Sequence, residues 1–76
     1  MDINHIIKKL NESMPPAFTR KELPKLLGGI LSVGHISNLD AAKQGPPRIR
    51  LKRHVIYEKD TFLKWFATYL DNSKHT

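Results

Sequence analysis

The chain opens with an apolar stripe that has the spacing of an α-helix. The stripe occupies positions i, i+3, i+4 and i+7 and consists of Ile3, Ile6, Ile7 and Leu10. Asp2 can cap the start of this helix, and Pro15-Pro16 would end it. We therefore predict an extra N-terminal helix within residues 1–13. Its apolar side either packs on the rest of the domain, the default for such spacing, or binds a partner protein.

A second helix is predicted to begin at Thr19. Residues 19–22 have the Thr-x-x-Glu pattern of a capping box, in which the end residues bond to each other's backbone N–H. The buried side would consist of Leu23, Leu26 and Leu27. Pro24 is unusual just past the first turn, because it lacks a backbone donor. Gly28-Gly29 predicts the end of this helix.

A third helix is predicted from Ser32, a good N-cap residue. Ile36 and Leu39 would face the core, where Val33 can join them in the same stripe, whereas His35, Asn38 and Ala42 fall on the opposite side. Gly45-Pro46-Pro47 predicts the end of the helix and the start of an extended segment.

The pattern then changes from helical to strand-like. Residues 48–51 alternate between arginine and an apolar residue, and residues 55–57 are β-branched or aromatic, which predicts two antiparallel strands around Lys52-Arg53-His54. A last helix begins near Lys59-Asp60, and residues 71–76 are expected to be frayed. Its broad apolar side contains Phe62, Leu63, Trp65, Phe66, Tyr69 and Leu70. We assign Tyr57, Phe62, Trp65 and Phe66 to the core.

The predicted fold is mainly α with a small β-hairpin, in the order helix, helix, helix, hairpin, helix. The second and third helices form a helix-turn-helix, and the hairpin is its wing. At 76 residues the chain is expected to be one domain, residues 1–76, with a small core.

Charge adds a candidate partner to this picture. The net charge is +6, and residues 43–59, with six basic residues and one acid, account for +5 of it. A localised excess of this kind favours a polyanion, so we expect double-stranded DNA as the partner. The sequence has no cysteine, which excludes disulfides and thiolate zinc sites, and its four histidines have no metal spacing. No apolar run predicts a membrane span, a signal peptide or an amphipathic anchor, so we expect no membrane binding.

One stretch of the sequence resembles a known family. Ser32, Ile36, Asn38, Gly45-Pro46-Pro47, Arg53, Tyr57, Asp60 and Trp65 follow one another in the order found in excisionases and AlpA-type prophage regulators. The resemblance covers residues 18–66. It implies a winged helix akin to the DNA-binding half of MerR proteins. His35 stands where the family usually has threonine, Lys52 stands where it often has glycine, and the connection at residues 28–31 is longer than usual.

The resemblance implies sequence-specific DNA binding by a cytoplasmic protein that a bacterium or phage encodes. Excisionases bend DNA and help to assemble a recombination complex, whereas AlpA-type proteins regulate a promoter, and the sequence leaves both roles open. An integrase or recombinase, or a second copy on an adjacent site, is a further implied partner. Both roles are non-enzymatic, and the sequence itself has no nucleophile–base pair, phosphate-binding glycine loop or metal cluster, so we expect neither enzyme activity nor a cofactor.

Two sets of residues are candidates for DNA contact. Base readout in the major groove is assigned to Ser32, His35 and Asn38, because asparagine can pair with adenine and imidazole can contact guanine. The alternative is that Ser32 only caps the helix and the other two are solvated. Contact with the backbone or minor groove is assigned to Thr19, Arg20, Lys21, Lys43, Arg48, Arg50, Lys52, Arg53 and His54. The alternative is a solvated charged surface.

Two functional hypotheses follow. The first is a DNA-binding excisionase or small transcriptional regulator. The second is a non-enzymatic interaction module whose basic wing binds an acidic partner protein.

Overall fold

The computed structural model describes residues 2–73, which form four helices and a three-stranded antiparallel sheet. The helices are α1 (Ile3–Ser13), α2 (Leu23–Leu26), α3 (Val33–Ala41) and α4 (Lys59–Ser73). The strands are β1 (Ala17–Thr19), β2 (Ile49–Leu51) and β3 (His54–Glu58), in the sheet order β1-β3-β2. The predicted class, mainly α with a small hairpin, is confirmed, and one strand that was not predicted lies between α1 and α2.

The start of the second helix is corrected by this additional strand. Phe18 is buried and pairs with Tyr57, so the chain after Pro15-Pro16 runs along β3 instead of entering a helix. The Arg20 N–H continues the pairing by donating to the Val55 carbonyl at 2.9 Å. Helix α2 begins only at Leu23, which places Pro24 in its first turn, where the missing donor costs nothing.

The predicted capping box is half formed. The Glu22 carboxylate accepts hydrogen bonds from the Thr19 N–H (3.0 Å) and from the Thr19 hydroxyl (3.1 Å). These bonds, the backbone one first, lower the pKa of Glu22. The reciprocal bond differs from the prediction, because the Glu22 N–H donates to the Thr19 carbonyl and not to its side chain. The motif therefore stabilises a turn before α2.

Helices α2 and α3 end in the same backbone motif. In α2, Gly28 has a φ of +63°, and the Gly29 N–H donates to the Pro24 carbonyl at 2.7 Å. In α3, Lys43 has a φ of +60°, and the Gln44 N–H donates to the Leu39 carbonyl at 2.8 Å. Both are Schellman endings, with the left-handed residue just past the helix. Helix α3 therefore stops before the predicted Gly-Pro-Pro boundary.

The core lies between the inner face of the sheet and the helices. Its completely buried large side chains include Tyr57, Phe62, Phe66, Leu23 and Ile36. Phe62 is central among the rings, with an edge-to-face contact to Phe18 at 5.4 Å between centroids. Trp65 is half-buried against this cluster, so the assignment of the aromatic residues to the core is confirmed.

The terminal helices pack on each other. Asp2 caps α1 by accepting from the His5 N–H at 2.8 Å, as predicted. Ile7 and Leu10 pack against the core, which favours the first of the two roles considered for this stripe. Helix α4 continues to Ser73, so the frayed tail does not begin at residue 71; residues 74–76 of that prediction lie outside the described residues.

The hairpin has an unusual distribution of side chains. Arg50 lies opposite the buried Val55, whereas Ile49 pairs with Ile56 and Leu51 with His54 on the other face. Ile49 and Leu51 are 68% and 57% exposed. Side chains alternate along a strand, so the arginines of this region stand on the face that the sheet turns towards α3, and the aliphatic residues stand on the outer face.

Candidate nucleic-acid interface

Helix α3 separates a buried side from an exposed side. The Ser32 hydroxyl caps it by accepting from the His35 N–H at 3.0 Å, as predicted. Ile36 is fully buried and Leu39 packs beside it. Gly34 and Asn38, one turn apart, are exposed on the opposite side. The predicted division of the helix is thus confirmed, except that Val33 is 40% exposed.

His35 connects α3 to α4. Its Nε2 lies 2.8 Å from the Tyr69 hydroxyl oxygen, and the two rings meet edge to face at 6.2 Å. The imidazole is therefore engaged within the protein although it is exposed. Among the three candidates for base readout, Ser32 serves the helix cap and His35 contacts α4. Asn38 alone points from the free side of the helix.

A polar cluster, which we name the Asp40 cluster, joins α3 to the sheet and to the turn before α2. It consists of Arg20, Asp40, Arg48 and Tyr57. Asp40 is only 3% exposed, and its Oδ2 accepts from Arg20 Nη2 and from the Tyr57 hydroxyl, both at 2.6 Å. Arg20 Nε also donates to the Tyr57 oxygen at 3.2 Å. Because these bonds join α3, β3 and the chain before α2, they fix how α3 sits on the sheet.

The second oxygen of Asp40 is held differently. Arg48 Nη1 is 3.6 Å from Asp40 Oδ1, which is an ion-pair distance but too long for a hydrogen bond. Gly45 lies against the same oxygen, and a Cβ at this position would collide with it. The glycine of the Gly-Pro-Pro motif is thus required by the close approach of the carboxylate.

Two pKa shifts follow from this packing. Burial, and then the hydrogen bond to Asp40, raises the pKa of Tyr57. Burial alone would lower the pKa of Arg20, but its hydrogen bonds to Tyr57 and Asp40 outweigh that effect and raise it. Both shifts keep the cluster in its present state at neutral pH, with Arg20 charged and the Tyr57 hydroxyl protonated.

The role of Asp40 in this cluster was not predicted from the sequence. One signal was present, since Asp40 stands four residues after Ile36 and so on the buried side of the predicted helix. A buried acid needs a partner, which predicts a cation nearby. Nothing in the sequence spacing identifies Arg20 as that cation. The predicted contact of Arg20 with DNA stays a prediction, although Arg20 Nε and Nη2 already donate hydrogen bonds within the Asp40 cluster.

Several of the residues that are predicted to contact the DNA backbone lie together at one end of α3. A cleft of about 180 Å³, which we name the cationic cleft, lies between the turn before α2, the first residue of α3 and the tip of the hairpin. It is lined by Thr19, Arg20, Lys21, Val33, Arg53, His54 and Val55. Lys21, Arg53 and His54 are exposed. Residues that are far apart in sequence thus form a single basic surface beside α3.

The other predicted contacts do not line this cleft. Lys52 is exposed at the hairpin tip, next to Arg53. Lys43 follows the opposite end of α3, about 13 Å along a helix of nine residues. Arg48 pairs with Asp40, and Arg50 stands on the same side of β2. The basic residues therefore lie at both ends of α3 and along β2, and only some of them converge.

Other kinds of site have little support in residues 2–73. This part of the chain contains no group of three or more histidine or acidic side chains that could hold a metal ion. None of its helices has the length and apolar character needed to cross a membrane.

The chain matches no protein-family model, no curated protein sequence and no solved structure. The geometry of its own residues therefore carries the functional argument.

Proposed function

We propose that this protein binds double-stranded DNA through a winged helix-turn-helix. In this proposal α2 and α3 form the helix-turn-helix, α3 enters the major groove, and the β2–β3 hairpin is the wing on the adjacent backbone or minor groove. The observation that carries the proposal is the cationic cleft. It brings Lys21 together with Arg53 beside the first residue of α3.

The exposed side of α3 supports this docking. It presents Asn38, an amide able to pair with adenine, next to Gly34, which leaves space for a close approach. The Asp40 cluster supports it indirectly, because a fixed angle between α3 and the hairpin lets both reach one duplex without prior rearrangement. As the resemblance implies, the biological role is that of an excisionase or a small transcriptional regulator.

The experiment is a fluorescence-anisotropy titration of the full chain with duplexes selected from a random-sequence library, at several salt concentrations. If five phosphates are neutralised, log K falls with log salt at a slope of about −4.5. The Lys52→Ala/Arg53→Ala variant should reduce this slope by about 0.9 for each phosphate that is no longer neutralised. Lys8→Ala/Lys9→Ala is the matched control, because it removes the same charge from exposed positions on α1.

Each result has a definite meaning. A smaller slope for the hairpin variant alone supports the docking, whereas equal effects of the two variants would mean general attraction by net charge. Asn38→Ala should weaken binding to the selected duplex more than binding to random DNA, because a base contact carries sequence information and a phosphate contact does not. No binding at physiological salt would contradict the proposal.

A second candidate function is favoured by the outer face of the hairpin. Ile49 and Leu51 are largely exposed there on an edge strand that also carries arginines. An acidic segment of a partner protein with apolar side chains would match this surface. The test is binding to a candidate integrase after nuclease treatment: a complex that needs Ile49 and Leu51 but not Asn38 supports this function.

A further inference from the structure

Among the exposed aliphatic side chains of residues 2–73, Val33 has different neighbours from the others. Four large apolar side chains are exposed, at Ile30, Val33, Ile49 and Leu51. Only Val33 both belongs to α3 and lines the cationic cleft. Ile49 and Leu51 stand on the outer face of the sheet, away from α3. Val33 is therefore the one aliphatic side chain that adjoins the proposed DNA-binding surface from the helix itself.

Val33 lies outside the buried core of the domain. The core is completed by Ile36 and Leu39, and Val33 remains 40% exposed. Valine is a poorer helix former than alanine, because its branched side chain loses rotamer freedom in a helix. A single exposed aliphatic residue is ordinary on a protein surface. Val33, however, lies among residues that are candidates for phosphate binding, so its apolar side chain calls for a different contact.

The neighbours of Val33 determine which part of a duplex it can meet. Lys21 and Arg53 suit phosphate oxygens, for which an isopropyl group offers no interaction. Val33 is followed by Gly34, where even an added Cβ would meet no atom within 4 Å. If phosphates occupy the cleft, the start of α3 lies at the edge of the major groove with little side-chain bulk to hold it away.

We infer that Val33 contacts the C5-methyl group of a thymine at the edge of the DNA site. In the major groove the thymine methyl is the apolar feature that distinguishes this base, and aliphatic side chains read it by contact. This inference rests on the proposed DNA binding and adds a specificity-determining residue to it. Val33 thereby discriminates thymine from the other bases without a hydrogen bond.

The test compares two forms of the same selected duplex, one containing thymine and one containing deoxyuridine throughout. The forms differ only by the C5-methyl groups. Wild-type protein should bind the uracil duplex about fourfold more weakly for each methyl group that the protein would otherwise cover, the effect expected for one buried methyl-sized group. Val33→Ala should bind the thymine duplex more weakly than wild type does and should reduce the preference between the two duplexes.

Two further variants separate this role from a structural one. Val33→Thr keeps the volume but replaces one methyl with a hydroxyl, so it should reduce the preference while keeping the fold, checked by circular dichroism. Ile30→Ala, the matched control, removes part of a more exposed aliphatic side chain that does not line the cationic cleft, and it should keep the full preference.

The outcomes distinguish this inference from the proposed function. Equal binding of both duplexes by wild type, with a steep salt dependence, overturns the role of Val33 and leaves DNA binding intact. A preference that Val33→Ala retains in full also overturns it, since another residue would then read the methyl. Absence of salt-dependent binding to any duplex overturns the proposed function, and the role of Val33 with it.

Discussion

The Asp40 cluster and the cationic cleft are adjacent and share Arg20, yet their charges are used in opposite ways. In the cluster the nearly buried carboxylate of Asp40 is paired with Arg20 and with the Tyr57 hydroxyl, so the charge of Arg20 is neutralised inside the protein. In the cleft Lys21 and Arg53 are exposed. The comparison teaches that a basic stretch of sequence is not one functional unit: Arg48 and Arg53 belong to the same stretch, but only Arg48 pairs with Asp40.

The largest expected effect is the loss of the carboxylate from the cluster. Asp40→Ala should lower the free energy of unfolding by about 3 kcal/mol, because removal of one partner leaves a largely buried guanidinium uncompensated. Arg20 is 19% exposed at its side chain, so water offsets part of the loss. Urea unfolding followed by circular dichroism measures the change.

The control for Asp40→Ala is Glu12→Ala, which removes an exposed acid from α1 and should change stability by less than about 0.5 kcal/mol. Equal effects of the two variants would mean that the cluster contributes nothing beyond its net charge.

Two glycine-to-alanine substitutions compare the buried Asp40 cluster with the exposed side of α3, because each adds a methyl group at one of these places. Gly45→Ala should cost about 2 kcal/mol, because its Cβ would displace Asp40 Oδ1. Gly34→Ala, on the exposed side of α3, should instead stabilise the protein by about 1 kcal/mol through its better helix propensity. Thermal unfolding measures both changes.

Gly34→Ala should also weaken the affinity of the more stable protein for DNA, because it adds bulk where α3 is proposed to approach the groove.

Gly45→Ala and Asp40→Ala act on one contact. The double variant should therefore lose less free energy of unfolding than the sum of the losses in the two single variants. Strict additivity would show that Gly45 is needed for another reason.

The Tyr57 hydroxyl makes the cluster sensitive to alkaline pH. The native state holds this group protonated to a higher pH than the unfolded chain does. The titration of Tyr57 should therefore not change the free energy of unfolding at neutral pH, and this free energy should fall as the pH rises above about 10, the unfolded-state pKa. Tyr57→Phe should be less stable at neutral pH, because Asp40 loses a donor, but it should lack this part of the alkaline decline.

Tyr69→Phe serves as the control for the alkaline effect. It removes a hydroxyl that contacts His35 outside the cluster, so the decline should persist. A decline of the same size in the Tyr57→Phe protein would mean that other groups, and not the cluster, cause it.

Much of the fold was predictable because short-range patterns determine it. The Ser32 cap, the Gly28-Gly29 stop and the apolar positions of α3 and α4 each depend on residues within about one or two turns of one another. The hairpin was predictable for the same reason. Strand β1 was not, because its three residues become a strand only by pairing with β3, almost forty residues later.

The candidate site shows the same difference between features set by nearby residues and features set by residues far apart in sequence. The basic residues and Asn38 were found from their types and local spacing. The cluster of Arg20, Asp40 and Tyr57 was missed, since its hydrogen bonds span 17 to 37 residues and no local pattern indicates them. The exposure of Val33 depends on which side of α3 the hairpin covers, so its place in the cleft required the three-dimensional arrangement.

The smallest expected effects concern two lysines in the left-handed region of backbone conformation. Lys43, with a φ of +60°, ends α3, and Lys52, with a φ of +55°, lies in the hairpin turn. Either lysine replaced by glycine should raise the free energy of unfolding by about 0.5 kcal/mol, because about 1 kcal/mol of relieved strain is partly offset by the freedom of glycine in the unfolded chain. Urea unfolding again measures the gain.

The same two variants locate the boundary of the proposed DNA-binding surface. Each removes one positive charge, but Lys52 adjoins the cationic cleft, whereas Lys43 lies at the opposite end of α3. Lys52→Gly should therefore reduce the salt-dependent slope by about 0.9, the value for one phosphate contact. Lys43→Gly should leave the slope unchanged if binding is confined to the cleft end of α3. An equal reduction would extend the surface along the whole helix and restore Lys43 as a backbone contact, as the sequence predicts.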